Sequence, residues 1–120
     1  MTFEYVTSTV SVLANDGIVV HVLNHSLSKE FAHVLVYQNT GAGAVQVVDS
    51  GDSEVTPTWQ WGLAYTVQDS GEYWVQIQVS SEFLIPKVAF ERYDGTAWMP
   101  IIAYSPGDFA VFELQRRRLW

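Results

Sequence analysis

Any chemistry in this chain would have to come from imidazoles, carboxylates, hydroxyls and indoles, because its 120 residues include no cysteine. The imidazoles are His21, His25 and His33. His21 and His25 share one face of an extended segment but sit roughly 13 Å apart along it, too far to hold one ion without a bend. His21 and His33 meet only if their strands pair in register, and a copper or zinc site would still lack a third ligand. Structural or surface roles are therefore expected for all three, with no metal and no other cofactor. Serine has no Gly-x-Ser-x-Gly elbow to activate it. The carboxylates of Asp49, Asp52 and Glu54 fall in a polar stretch where solvation is the default. Gly41-Ala42-Gly43 lacks the third glycine and the lysine of a phosphate loop, and it follows a strand without opening a helix. These residues point away from an enzyme.

Binding chemistry is better represented. Trp59, Trp61, Trp74, Trp98 and Trp120 are five indoles in a small chain. Trp74 alternates with Gln76 and Gln78, which would give one stacking plane and several hydrogen-bonding amides on a solvent face, the equipment of a carbohydrate-binding module. Trp59 and Trp61 share a face with Leu63 and are expected in the core. A second set, Leu23, Phe31, His33, Leu35 and Tyr37, falls outside the core if Val20, Val22, Val34 and Val36 fill it. Apolar residues on an outer sheet face are normally covered. This set is the expected interface, with a second copy or another protein subunit as partner.

The elements that would position these groups alternate with period two, and helical periodicity is nearly absent. Expected strands are Thr2 to Leu13, Ile18 to Asn24, Phe31 to Gln38, Val45 to Val48, Trp59 to Val67, Gly71 to Ser80, Phe83 to Tyr93, Thr96 to Ile102 and Phe109 to Leu114. Turns are marked by Asn15-Asp16-Gly17, by Asn39 to Gly43 and by Ser105 to Asp108, while His25 to Glu30 and Asp49 to Glu54 read as polar loops. Asp94-Gly95 suits a type I′ hairpin turn. Pro86 and Pro100 lack the donor a central ladder needs, which places them at edges or bulges. Eight or nine short strands without crossover helices require antiparallel pairing in a sandwich or small barrel.

Asp69-Ser70-Gly71-Glu72-Tyr73-Trp74-Val75 resembles the D-x-G-x-Y-x-C signature that leads into strand F of immunoglobulin domains, with Val75 where the family has its second cysteine. The resemblance implies a tyrosine corner, in which the Tyr73 ring packs inward and its hydroxyl bonds backbone a few residues upstream. It covers about seven residues directly, has no cysteine in strand B and no tryptophan in strand C to support it, and implies no activity. The expected fold is an all-β, two-sheet antiparallel sandwich spanning residues 1–120 as one domain, immunoglobulin-like, with a jelly roll as the alternative.

Charge narrows the partners further. Thirteen acidic residues oppose only Lys29, Lys87 and Arg92 before position 116, a net charge of −10 over residues 1–115, and Arg116, Arg117 and Arg118 bring the whole chain to −7. An acidic body repels phosphate backbones, so nucleic acid is not an expected partner. The Arg run reads as a solvated end that could also dock on a partner's acidic patch. No stretch approaches the length of a membrane span, and Met1 to Tyr5 has no secretory character, so a cytoplasmic, membrane-free chain is expected. The functional expectation is a non-enzymatic interaction or structural module that self-associates through an apolar outer sheet face, with carbohydrate binding at Trp74, Gln76 and Gln78 as the alternative.

Overall fold

The computed structural model describes residues 2–114; the Arg116 to Arg118 run and Trp120 lie outside the described residues. Eleven strands alternate along the chain: β1 (Thr2–Val6), β2 (Val10–Val12), β3 (Gly17–Asn24), β4 (Glu30–Thr40), β5 (Gly43–Asp49), β6 (Ser53–Val55), β7 (Gln60–Thr66), β8 (Gly71–Val79), β9 (Leu84–Tyr93), β10 (Trp98–Tyr104) and β11 (Ala110–Leu114). They form two antiparallel sheets. One runs β11-β1-β8-β4-β5, with β2 also on β8 and β6 also on β4; the other runs β10-β9-β3-β7. The only helical element among the described residues is the 3-10 turn Pro106–Asp108, and no helix there is long and apolar enough to cross a membrane.

Alternation builds the core as the sequence requires. Ile18, Val20 and Val22 on β3 face Val34 and Val36 on β4 and Val75 and Ile77 on β8, all fully buried. Phe90 and Tyr73 supply the largest rings of this interior. The tyrosine corner is formed. The Tyr73 ring is buried and its hydroxyl donates to the Asp69 carbonyl at 2.6 Å. A side-chain carbon on Gly71 would stand 3.1 Å from Gln38 Nε2, so this position admits only the smallest residue without displacing its neighbour.

Two strands beyond the expected count have plain causes. The first expected strand is broken because Thr7, Ser8 and Thr9 oppose only Trp74 and Val75 between the register pairs Val6–Gln76 and Val10–Tyr73, which makes a bulge. Thr7 is buried there and holds Val75 twice, its amide donating to the Val75 carbonyl and its Oγ1 accepting from the Val75 amide, both at 3.0 Å. The acidic loop expected over Asp49 to Glu54 contains β6, whose only apolar anchor, Val55, was too isolated to show a pattern.

Turn chemistry also differs in detail. Asp94 and Gly95 belong to a four-residue loop between the paired Tyr93 and Trp98 rather than to a two-residue turn. Asp94 Oδ1 accepts from the Thr96 and Ala97 amides, which depresses its carboxyl below the ordinary range. Pro100 sits at the irregularity between Pro100 and Ile102 on the edge strand β10. Pro86 is buried opposite Val22, in the part of β9 that extends past the end of β10.

The Asn15-Asp16-Gly17 turn is tied down by a buried carboxylate. Asp16 accepts from the Leu13 amide at 2.8 Å and from Arg92 Nε and Nη2 at 3.0 and 2.8 Å. The bidentate Arg92 bond, foremost, holds the Asp16 carboxyl below its ordinary value against the opposing effect of burial. Asn24, fully buried, donates to the Ser28 and Val55 carbonyls and accepts from Ser26, joining the β3–β4 loop to β6.

Candidate functional site

The expected interface does not form one surface. Leu23 lies on β3 in the four-stranded sheet, whereas Phe31, His33, Leu35 and Tyr37 lie on β4 in the seven-stranded sheet, so Leu23 faces away from the other four. Alternation turns all five away from the central valines, though Leu35 is buried all the same, and residues in sequence-adjacent strands of a sandwich can point to opposite outer faces when the connection crosses between sheets.

On the seven-stranded sheet the two expected sites merge instead. β4 and β8 pair His33 with Gln78, Leu35 with Gln76 and Tyr37 with Trp74, so the candidate interface and the candidate ligand face are one outward surface. Tyr37 and Trp74 stack with ring centroids 5.1 Å apart and planes 17° from parallel. Each ring thereby covers a face of the other. Leu35, between Asp49 on β5 and Gln76 on β8, is only 9% exposed although its strand parity turns it away from Val34 and Val36.

Charge completes this self-contained surface. His33 Nε2 bonds Asp49 Oδ1 at 2.5 Å, and Nδ1 lies 3.4 Å from Asp52 Oδ1. The Gly51 amide first, and His33 second, hold the Asp49 carboxyl below its ordinary range. The two carboxylates approach opposite ring nitrogens and do not converge on a common point, and no cluster of metal-binding groups occurs among the described residues. Only Phe31, 44% exposed, presents a large bare apolar side chain from the expected set.

The four-stranded sheet has a different outer face. Its outward rows read Thr66, Gly17, Glu91 and then Ala64, Val19, Ala89, with His21 and Gly62 below. These are mostly small side chains, over which two rings lie. Trp98 reaches across from β10 to cover Gly17, and a side-chain carbon on Gly62 would meet the His21 ring at 3.1 Å. Trp59, expected in the core, is instead 68% exposed beside the β6–β7 turn; Trp61 and Tyr65 do pack on the core. The reason is local. Thr58 takes a left-handed φ of 64° immediately before Trp59, and the expected alternation begins only at Gln60.

A further bare apolar area lies on the flank where both sheets end. β10 and β11 are edge strands of opposite sheets joined by only Ser105–Phe109, so they bound the same side of the sandwich. Trp98, Met99, Ile101 and Ile102 on β10, and Val111 and Phe112 on β11, are each between 39% and 53% exposed. No charged residue occurs between Asp94 and Asp108. The expected alternation concealed this flank, whose signal is an apolar run that fails to alternate.

No family model matches the chain, and no curated protein matches it. Among solved structures it is similar to Thermotoga maritima 1070, with a TM-score of 0.59 and 8% identity, over 85% of this chain and 92% of that one. The likeness is one of fold.

Proposed function

We propose that this domain is a non-enzymatic interaction module that associates with a second copy of itself. The supporting observation is the apolar flank of β10 and β11, where six large apolar residues stand in solvent in a chain of net charge −7 and β10 itself carries no charge. Two acidic bodies repel each other, and a charge-poor apolar strip is the surface on which they approach at least electrostatic cost. Pro100 and the irregularity beside it blunt β10 against open-ended strand addition, which favours a closed side-chain contact over a growing sheet. The stacked Tyr37–Trp74 pair supports this reading over sugar binding at Trp74, Gln76 and Gln78, because one face of the indole is already taken by Tyr37.

For the architecture, we propose an immunoglobulin-like sandwich with its own strand order. The tyrosine corner on β8 supports the likeness. The order departs where β9 follows β8 into the opposite sheet and β1 takes the place beside β8 that strand G holds in immunoglobulin domains.

Sedimentation velocity at micromolar concentration tests the association. The wild type is expected to sediment as a dimer and Ile102→Glu as a monomer with an unchanged far-ultraviolet circular dichroism spectrum. A wild type that remains monomeric overturns the proposal.

A further inference from the structure

A crevice on the outer face of the four-stranded sheet has no counterpart in the expected sites. It encloses about 230 Å³ between the Trp98 ring and the rows of β3 and β7, with Gly17, Val19 and Ala64 as its floor and Glu91 and Thr66 at its sides. The strand register explains why it exists. Glu91 on β9 pairs with Gly17 on β3, and Gly17 in turn pairs with Thr66 on β7. The six-membered ring of Trp98 lies over Gly17, with room beneath it for one methyl group. A carbon placed on Gly17 would stand 3.5 Å from Cζ3 and 3.9 Å from both Cε3 and Cη2. Tyr93 buttresses the indole, with centroids 5.5 Å apart, and Trp98 remains half exposed.

Such a crevice offers a π face, a carboxylate and an apolar floor. Among the described residues Glu91 has no cationic partner, since the ion pairs there are Lys29–Glu54, His33 with Asp49 and Asp52, and Arg92–Asp16. Lys87, four residues along the same strand, is roughly 13 Å away. Its polar side-chain groups are the Glu91 carboxylate, the Thr66 and Tyr65 hydroxyls and the Trp98 indole N–H, and Glu91 alone carries a charge. A neutral sugar would leave that charge unpaired. A planar cation is well served: it stacks on the indole while its N–H groups meet the carboxylate in pairs. The surrounding body, with its net charge of −10 over residues 1–115, draws cations toward it.

We propose that this crevice binds an arginine side chain presented by a protein partner, with the guanidinium stacked on Trp98 and held by Glu91. The site shares Trp98 with the self-association flank but is otherwise distinct from it: it uses the sheet face, and its essential carboxylate lies outside the apolar strip. An end-capped Gly-Arg-Gly peptide is the probe, and the Trp98 indole N–H resonance, assigned with Trp98→Phe, is the readout that separates this indole from the other four.

The arginine peptide is expected to shift that resonance saturably, and a citrulline peptide, equal in shape but uncharged, to bind about tenfold more weakly or not at all. Glu91→Gln is expected to weaken the arginine peptide to the same degree while leaving the sedimentation of the protein unchanged. Because the citrulline comparison uses the wild-type chain, it holds whatever the variant does to folding. Equal binding of the two peptides, a shift produced by soluble glycans but not by arginine, or a resonance that moves only with protein concentration would each overturn the proposal.

Discussion

The two outer faces of this sandwich are made from strands of similar composition and have opposite characters. On the seven-stranded sheet, Tyr37 stacks on Trp74, Leu35 is nearly covered, and His33 is flanked by Asp49 and Asp52. Phe31 is the exception on that face, bare beside a crevice of about 250 Å³ that His33, Asp52 and Gln78 also line. On the four-stranded sheet, small residues leave the strands bare, Trp98 lies over a glycine, and Glu91 has no charged partner among the described residues. The contrast teaches that apolar content on an outer strand does not by itself mark an interface. Cross-strand pairs can bury it within one chain, and where neighbours are too small to do so the surface stays open.

This contrast can be broken most sharply by truncation. Leu35→Ala is expected to cost about 2–3 kcal/mol in chemical denaturation, the toll of a cavity at a buried leucine, whereas Ile102→Ala in the monomer should cost about 1 kcal/mol or less. Similar losses at both positions would mean that the seven-stranded face is not sealed.

A somewhat smaller effect concerns the turn that leads into the four-stranded sheet. Asp16→Asn is expected to destabilise by about 2 kcal/mol at neutral pH, because the Arg92 guanidinium loses its buried carboxylate partner. The folded carboxyl is held below the ordinary aspartate value of 3.8, so its contribution is complete above that value and is lost as pH falls through the lower folded one. The gap in melting temperature between wild type and Asp16→Asn should therefore close in acid. A gap independent of pH would remove the ion pair from the account.

The smallest expected effect is the coupling between Tyr37 and Trp74. A double-mutant cycle to alanine should give about 1 kcal/mol of interaction beyond the two single losses. Strict additivity would show that the rings touch without supporting one another.

Much of this was legible in the residues. The alternation through Ile18, Val20 and Val22, through Val34 and Val36, and through Val75 and Ile77 specifies which side of each strand is oiled, and the Gly-x-Tyr motif specifies the corner at Asp69. Outward placement of Phe31, His33, Leu35, Tyr37, Trp74, Gln76 and Gln78 followed from the same rule. The rule is local, since a pleated strand turns every second side chain to the same side wherever the strand lies.

Which outer face a residue joins is not local. Leu23 and Phe31 were separated by the crossing between sheets, Tyr37 and Trp74 were united by a register across 37 positions, and Trp59 left the core because of one left-handed residue before it. The Trp98 crevice needed three strands to align Glu91, Gly17 and Thr66 in one row. Sequence by itself determined the inside and outside of each strand; tertiary structure alone decided the neighbours, because strand order and register depend on the packing of the whole chain rather than on the period of any segment.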